Sequence, residues 1–480
     1  MLLYLHVPFC RAKCRYCAFY SRPLGRADEA AGDAEETASG VSRKDVGPAG
    51  DAAECGRGGP SGDAALDAWA AALEEDIRLW GKRLAEEGFG PASDTRPRAP
   101  RLSSIFFGGG TPSLVPPAVL GRILECADRS FGIESGAEIS MEANPESMTP
   151  EKAKGFKAAG VNRVSLGVQA LDDDLLRAVG RVHSRADALR AFDGLRRAGF
   201  DNVGLDFIWG LPGESLEAWC RQLEEAAALG PEHLSCYGLM LEEGTPLWNE
   251  RESLALPDEA TQAAMYAQCG DILEKHGYRQ YEISNYARPG RECRHNLGYW
   301  MGRDYLGLGP SAVSAMRGQR WSQPADLAAW LAAPRGAMPE GELVETLGPR
   351  EQAEEFIMLR LRTAAGLPLD EYRRLTGRDF IADNAPLIAA LEAEGLARII
   401  PAGEGSAIGA EVLAVGGTPD GAGRLVTEEA SSAPCAHAAH ADRITQTSGA
   451  RFALTRAGML LSNSVIAECF ENLPDLPENE

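Results

Sequence analysis

The chain is 480 residues long, 44% hydrophobic, and carries a formal net charge of −22 at pH 7. That length has room for two or three domains with sizeable cores, while so acidic a balance argues against a nucleic-acid partner, whose phosphates require a basic footprint. No run approaches the ~18 apolar residues of a membrane helix, no signal peptide leads the chain, and the 11 cysteines, odd in number and scattered, fit a reducing cytoplasm better than a disulfide framework.

Leu2 to Val7 reads as a short apolar strand running into a loop that carries Cys10, Cys14 and Cys17, spaced Cys-x3-Cys-x2-Cys. Three thiolates on one tight loop suit a soft metal centre. A zinc ion would need a fourth ligand, with His6 the near candidate, and fortuitous thiols are a further reading. An iron–sulfur cluster with one iron left open fits the tight spacing best. Arg22 to Leu66 is rich in Ala, Gly, Asp and Glu and nearly free of large apolar residues. Residues 22–65 are therefore predicted to form a disordered insertion, with Cys55 only an exposed thiol. Leu66, Trp69, Leu73, Ile77, Trp80 and Leu84 then recur at spacings of three and four, which predicts a helix with one core-facing stripe. Gly88 to Arg101 reads as a connecting loop.

Beyond it, short apolar runs at Ser104–Phe107, Glu138–Glu142, Arg163–Val168, Val203–Trp209 and Leu234–Leu239 alternate with helical stretches. The helical stretches include Ala118–Asp128, Pro150–Ala159, Arg185–Ala198, Leu216–Leu229 and Asp258–His276. With the opening strand this makes six β-then-α units, so the predicted fold class is α/β, with a parallel sheet covered by helices. The cysteine loop, Gly108–Ser113, Asn144, Gln169, Asp206 and Gly210–Gly213 all fall where strands end. Sites of parallel α/β proteins form there, and one polar rim implies a partial (β/α)6 barrel. A first domain is assigned to residues 1–331. After a Pro/Gly-rich linker, a small α+β domain is assigned to residues 342–480. Its helix, strand, strand, helix order resembles a winged helix, with its hairpin stretched by an Ala/Gly/Ser-rich insertion at 403–449. Cys126, Cys220, Cys236, Cys269 and Cys469 fall in strand or helix patterns and read as core residues. Cys435, His437 and His440 in the second insertion read as incidental.

The glycines of Gly108-Gly109-Gly110-Thr111-Pro112-Ser113 let a backbone approach a ligand closely. Alone, such a loop is a weak signal; one strand after a three-cysteine loop it is a strong one. Together the two motifs resemble the radical S-adenosylmethionine superfamily. YLHVPFC, FFGGGTPS, EANPES, VNRVSLGVQ, GRVH, GLDFIWGLPGES and GLGPSA also stand in the order seen in the oxygen-independent coproporphyrinogen III oxidase family. The resemblance implies a TIM-like radical S-adenosylmethionine barrel with a [4Fe-4S] cluster on Cys10, Cys14 and Cys17. It assigns Tyr4, Gly109 and Glu142 to a first S-adenosylmethionine. Tyr16, Gly110, Thr111, Gln169, Arg181 and Asp206 match positions that touch a second molecule or its neighbourhood. Chemically, Glu142 can accept from an ammonium, Arg181 can pair with a carboxylate, and Asp206 can hold a ribose diol. A strand-end Asp or Gln taken alone is more often a local turn residue.

Within that family two functions separate. The oxidase carries a further cysteine where this chain has Phe19, and an N-terminal extension where this chain begins its first strand at Leu2. Cys293-Arg294-His295-Asn296-Leu297-Gly298-Tyr299-Trp300 matches the HNxxYW signature of the haem chaperone branch. The resemblance therefore implies haem as a further ligand, with His295 or the nearby Cys293 on iron and Tyr299 and Trp300 against the macrocycle. Without that context, a lone His is more often a buried, hydrogen-bonded residue. The expected partners are acceptor haemoproteins such as respiratory enzymes, and a homodimer stays open. The rival reading is an enzyme: radical decarboxylation of coproporphyrinogen III to protoporphyrinogen IX.

Overall fold

In a computed structural model of the protein, residues 1–24, 62–88, 99–339, 344–403, 449–473 and 476 are described. Most of both expected insertions, with Cys55, Cys435, His437 and His440, lies outside the described residues. The main body is a 12-stranded mixed sheet. Its parallel heart comprises β1 (Leu2–Val7), β2 (Leu102–Gly109), β3 (Ile133–Ala143), β4 (Arg163–Gln169), β5 (Val203–Trp209) and β6 (His233–Gly238), side by side in chain order. These are the six strands the alternating pattern predicts.

Helices α1 (Gly62–Glu86), α2 (Pro117–Phe131), α3 (Pro150–Ala159), α4 (Arg185–Arg197), α5 (Leu216–Ala228) and α6 (Glu259–Lys275) form the outer layer. α1 packs on α2, α2 on α3, α3 on α4, and α5 on α6. Their starts follow local chemistry. The side chain of Thr149 accepts from the Lys152 N–H, Asp258 accepts from Thr261 N–H, and Ser184 with Asp187 forms a reciprocal capping box. The apolar stripe of α1 is buried throughout, from Leu66 and Trp69 to Trp80 and Leu84. Each such side chain contributes about 1.5–3 kcal/mol. Trp69 is also tied to β1, its indole N–H donating to His6 O at 3.1 Å.

Strand alternation sorts β1 into two faces. Leu3, Leu5 and Val7 enter the helix-covered core, while Tyr4 and His6 face the other way. Register then lines up the inner face across the sheet: Tyr4 beside Phe106, Phe106 beside Ser140, Ser140 beside Arg163, and likewise Glu142 beside Ser165. The inner face is polar because the site is built on it.

Both sheet edges differ from expectation. At one edge β7 (Arg279–Gln280) and β8 (Asn285–Ala287) are added, β8 antiparallel to β6 and β7 antiparallel to β8. On the other side, β9 (Tyr305–Leu308) lies parallel to β1 and continues antiparallel into β10 (Val313–Met316), β11 (Gln319–Ser322) and β12 (Val344–Thr346). The glycines of YLGLG mask that strand in the sequence. Gly307 is needed there because a Cβ would meet the Val313 carbonyl oxygen at 2.0 Å. Between these edges run α7 (Arg294–Trp300) and, further on, α8 (Pro349–Leu361).

A second core gathers Ile357 and Leu361 of α8 with Tyr372, Phe380, Leu391, Phe452 and Val465. It surrounds a three-stranded sheet of Leu367–Pro368, Arg451–Leu454 and Ala397–Ile400. The last helix of the expected helix, strand, strand, helix order is two helices, Arg456–Leu460 and Ser462–Glu471. The break at Leu461 precedes Ser462-Asn463-Ser464, residues that compete with helical hydrogen bonds.

Candidate functional site

The site lies where β1 to β5 end. Phe9–Cys10 pairs in parallel with Arg22–Pro23, which closes the cysteine loop on itself. The glycine loop after β2 docks beneath it: Gly110 N–H donates to Val7 O at 2.8 Å and Thr111 N–H to Phe9 O at 2.7 Å. A Cβ on Gly110 would stand 2.5 Å from Phe9 O, and one on Gly109, whose φ is +104°, would stand 2.5 Å from the His6 ring. These glycines are therefore required by loop-on-loop packing, in addition to the ligand approach that sequence suggests.

Two of the three half-buried thiols are joined by a continuous chain of hydrogen bonds. Thr111 Oγ1 donates to Cys10 Sγ at 3.4 Å and accepts from Asn144 Nδ2 at 3.1 Å. Arg181 Nη2 donates to Asn144 Oδ1 at 2.8 Å and to Gly167 O at 2.9 Å, while its Nη1 reaches Cys14 Sγ at 3.3 Å. Asn144 is the member that sequence reasoning placed at a strand end without giving it a role; its signal is its place two residues after Glu142. Gln169 ends β4 at φ 65° beside a register shift against β5, so this side chain leaves the strand pattern at the rim. Burial pushes the Tyr16 phenol up, against the opposing charge of Arg181.

Inside the rim sit two carboxylates. Burial, with Asp206 nearby, pushes the Glu142 carboxyl up to about 8, opposed by the Gly109 N–H and by Arg163. That N–H donates to Glu142 Oε2 at 3.1 Å. Asp206 Oδ1 accepts from Ser165 at 2.9 Å and from Ser235 at 2.6 Å, and burial raises its pKa as well. Tyr4 bonds His6 Nδ1 at 3.2 Å and stacks on Phe106. His6 Nε2 meets Tyr20 O at 3.1 Å, so both nitrogens of the nearest zinc candidate are engaged.

The His295 turn is of another kind. Glu138 accepts from the N–H groups of Arg294 (2.9 Å) and His295 (3.1 Å), which fixes the start of α7. His295 has no exposed surface. Its Nδ1 is bonded to Ser104 Oγ and its Nε2 to Tyr299 OH, both at 2.8 Å, and burial followed by Arg163 lowers its pKa to about 3. Iron ligation by His295 would have to break one of those bonds. Cys293 is likewise buried, its thiol pushed up to about 12 by burial. Tyr299 reaches an open cavity, while Trp300 is partly exposed.

A parallel sheet whose strand ends hold a three-cysteine loop against a glycine loop defines a radical S-adenosylmethionine protein. Residues 94–225 match the radical SAM superfamily and residues 347–402 the HemN C-terminal domain; the cysteine loop precedes the first match. The solved structure of coproporphyrinogen III oxidase (HemN) from Escherichia coli, titled a radical SAM enzyme, superposes with a TM-score of 0.66. It covers 98% of this chain and 89% of that one at 20% identity, a likeness of fold. The heme chaperone HemW of Synechocystis sp. is 35% identical over 373 residues, covering 76% of this chain and 78% of the relative. HemW of Mycobacterium tuberculosis H37Rv is 35% identical over 372 residues, covering 76% and 83%. The chain belongs to the HemW haem chaperone family.

The superfamily implies a [4Fe-4S] cluster and S-adenosylmethionine, and the donor set fits. Among the described residues no three His, Cys, Asp or Glu side chains converge on a single ion. A cluster does not ask for that, since its thiolates sit on different irons. No helix among the described residues is long and apolar enough to cross a membrane.

Proposed function

We propose that this chain is a cytoplasmic haem chaperone that binds a [4Fe-4S] cluster, S-adenosylmethionine and haem, and passes haem to acceptor haemoproteins. The observation that carries this reading is the cysteine loop, locked on the glycine loop through Thr111, Asn144 and Arg181. It is joined by Phe19, which stands 70% exposed where the oxidase has a cysteine.

Cys10, Cys14 and Cys17 would hold the cluster, and the chemistry it would supply when bound is one-electron reduction of S-adenosylmethionine. The chain's own residues do the positioning. Tyr4, Gly109 and Glu142 would receive the first S-adenosylmethionine. Tyr16, Gly110, Thr111, Gln169, Arg181 and Asp206 would line the neighbouring space. With its pKa raised to about 8, Glu142 holds a proton at neutral pH and releases it when an ammonium arrives. Arg181 Nε is buried without a partner among the described residues, so a carboxylate beside it satisfies a donor already desolvated. His295, Tyr299 and Trp300 are assigned to haem, and a homodimer stays open as the assembly.

The second reading, decarboxylation of coproporphyrinogen III, draws on the HemN-like fold. The two are separated by incubating the reconstituted, reduced protein with coproporphyrinogen III and S-adenosylmethionine. The chaperone reading expects no protoporphyrinogen; multiple turnovers would overturn it.

A further inference from the structure

We infer that haem, on the chaperone reading above, is held in the cavity between the exit of the cysteine loop and the antiparallel edge of the sheet, with Phe19 on one side of the macrocycle and α8 on the other. The cavity is about 690 Å³, within the roughly 300–1,000 Å³ usual for small-molecule sites. Tyr4 and His6 line it from β1, which places it next to the expected S-adenosylmethionine contacts. Its chemistry suits a flat, mainly apolar ring with acidic arms. Phe19 is an exposed aromatic side chain at its wall, and Tyr299 and Tyr305 meet edge to face at 4.6 Å on another. Met316 of β10 and Met358 of α8 add polarizable thioethers.

Two arginines in the lining suit the acidic arms. Arg303 brings a half-buried guanidinium to the lining; burial and then Arg294 lower its pKa, and Glu134 works against them. Arg320 pairs with Glu355 and, at 3.4 Å, with the exposed Glu345, an arm that a propionate can replace. Asp304 and Glu355 also line the cavity; Glu355 is held by Arg320 and Asp304 Oδ1 accepts from the Arg317 N–H at 3.1 Å, so both carboxylates are already engaged. The same placement explains the His295 turn: its histidine bonds Tyr299, and through that contact it positions a wall of the cavity while staying buried itself.

The test is a ferric haem titration of the full, cluster-reconstituted chain, followed by the Soret shift, for wild type, Phe19→Ala, Val313→Trp and, as a control, Leu375→Ala at an exposed position outside the cavity lining. Val313 lines the cavity on β10. Removing the Phe19 ring should weaken binding about fivefold. Filling the space with Val313→Trp should weaken it about tenfold or more, and Leu375→Ala should bind haem within about twofold of wild type. Iron content and circular dichroism establish that Phe19→Ala, an exposed position, retains cluster and fold. Saturable wild-type binding that Phe19→Ala and Val313→Trp leave unchanged would overturn the cavity assignment while leaving the chaperone reading intact. Absence of any saturable Soret shift in wild type would overturn both.

Discussion

The cysteine-loop rim and the His295 turn use the same residue types to opposite ends. At the rim, Cys10, Cys14 and Cys17 are half-buried, and the donors around them bond to one another and to sulfur. At the turn, Cys293 and His295 are fully enclosed, with Glu138, Ser104 and Tyr299 consuming their polar atoms. Exposure and unspent hydrogen-bonding capacity, more than residue type, distinguish a ligand site from a scaffold. The distinction can be broken by substitutions on each side.

The largest contrast is in metal content. Cys14→Ser should reduce anaerobically reconstituted protein from about four irons per chain to almost none. His295→Ala should leave iron unchanged; equal losses in the two variants would erase the distinction. Next in size is stability. His295→Ala strands the Ser104 and Tyr299 hydroxyls and leaves a void, which should cost about 2–4 kcal/mol in urea unfolding. A negligible cost would mean that the imidazole is not the scaffold piece its surroundings make it.

Glu142 tests the rim through pH. Its folded pKa, about 8, lies above the 4.5 of an ordinary glutamate carboxyl. Between the two the folded state keeps a proton that the unfolded state has released, so this group's contribution to stability is full below the lower value and is lost as pH rises through the upper one. Wild type should therefore lose stability relative to Glu142→Gln between pH 5.5 and pH 8.5, approximate settings chosen to bracket that window. Parallel curves would remove Glu142 as a desolvated acid. The smallest effect is expected at the hydrogen-bond chain joining the thiols. Thr111→Val removes the donor to Cys10 and the acceptor for Asn144, costing about 1 kcal/mol. It should also move the cluster's potential to more negative values, since a sulfur without its hydrogen bond stabilises the reduced state less; an unmoved potential would leave the bond with structural meaning only.

Much of this was legible in the sequence because short-range rules govern it. β1 and β5 fall on their predicted runs, and α3 spans its predicted residues, because alternation, helical spacing and a Thr cap before Pro150 act within a few residues. The cysteine spacing announced the candidate cluster loop for the same reason. What the sequence concealed depends on distant partners. β9 hides in a glycine-rich run whose need for Gly307 arises only once β10 lies against it. Asn144 acquires its role from Thr111 and Arg181, 33 and 37 residues away. The enclosure of His295 depends on Ser104, which is 191 residues away. Local signals named the motif there, and only the packing shows how little room its histidine has.

The central claim, that this chain is built to carry haem beside an iron–sulfur cluster, is tested most directly by titrating ferric haem into the protein with and without its reconstituted cluster. The account predicts a saturable Soret shift in the cluster-loaded protein and no protoporphyrinogen when substrate and S-adenosylmethionine replace haem. A cluster-loaded protein that shows no saturable shift, yet converts coproporphyrinogen III over many turnovers, would contradict it.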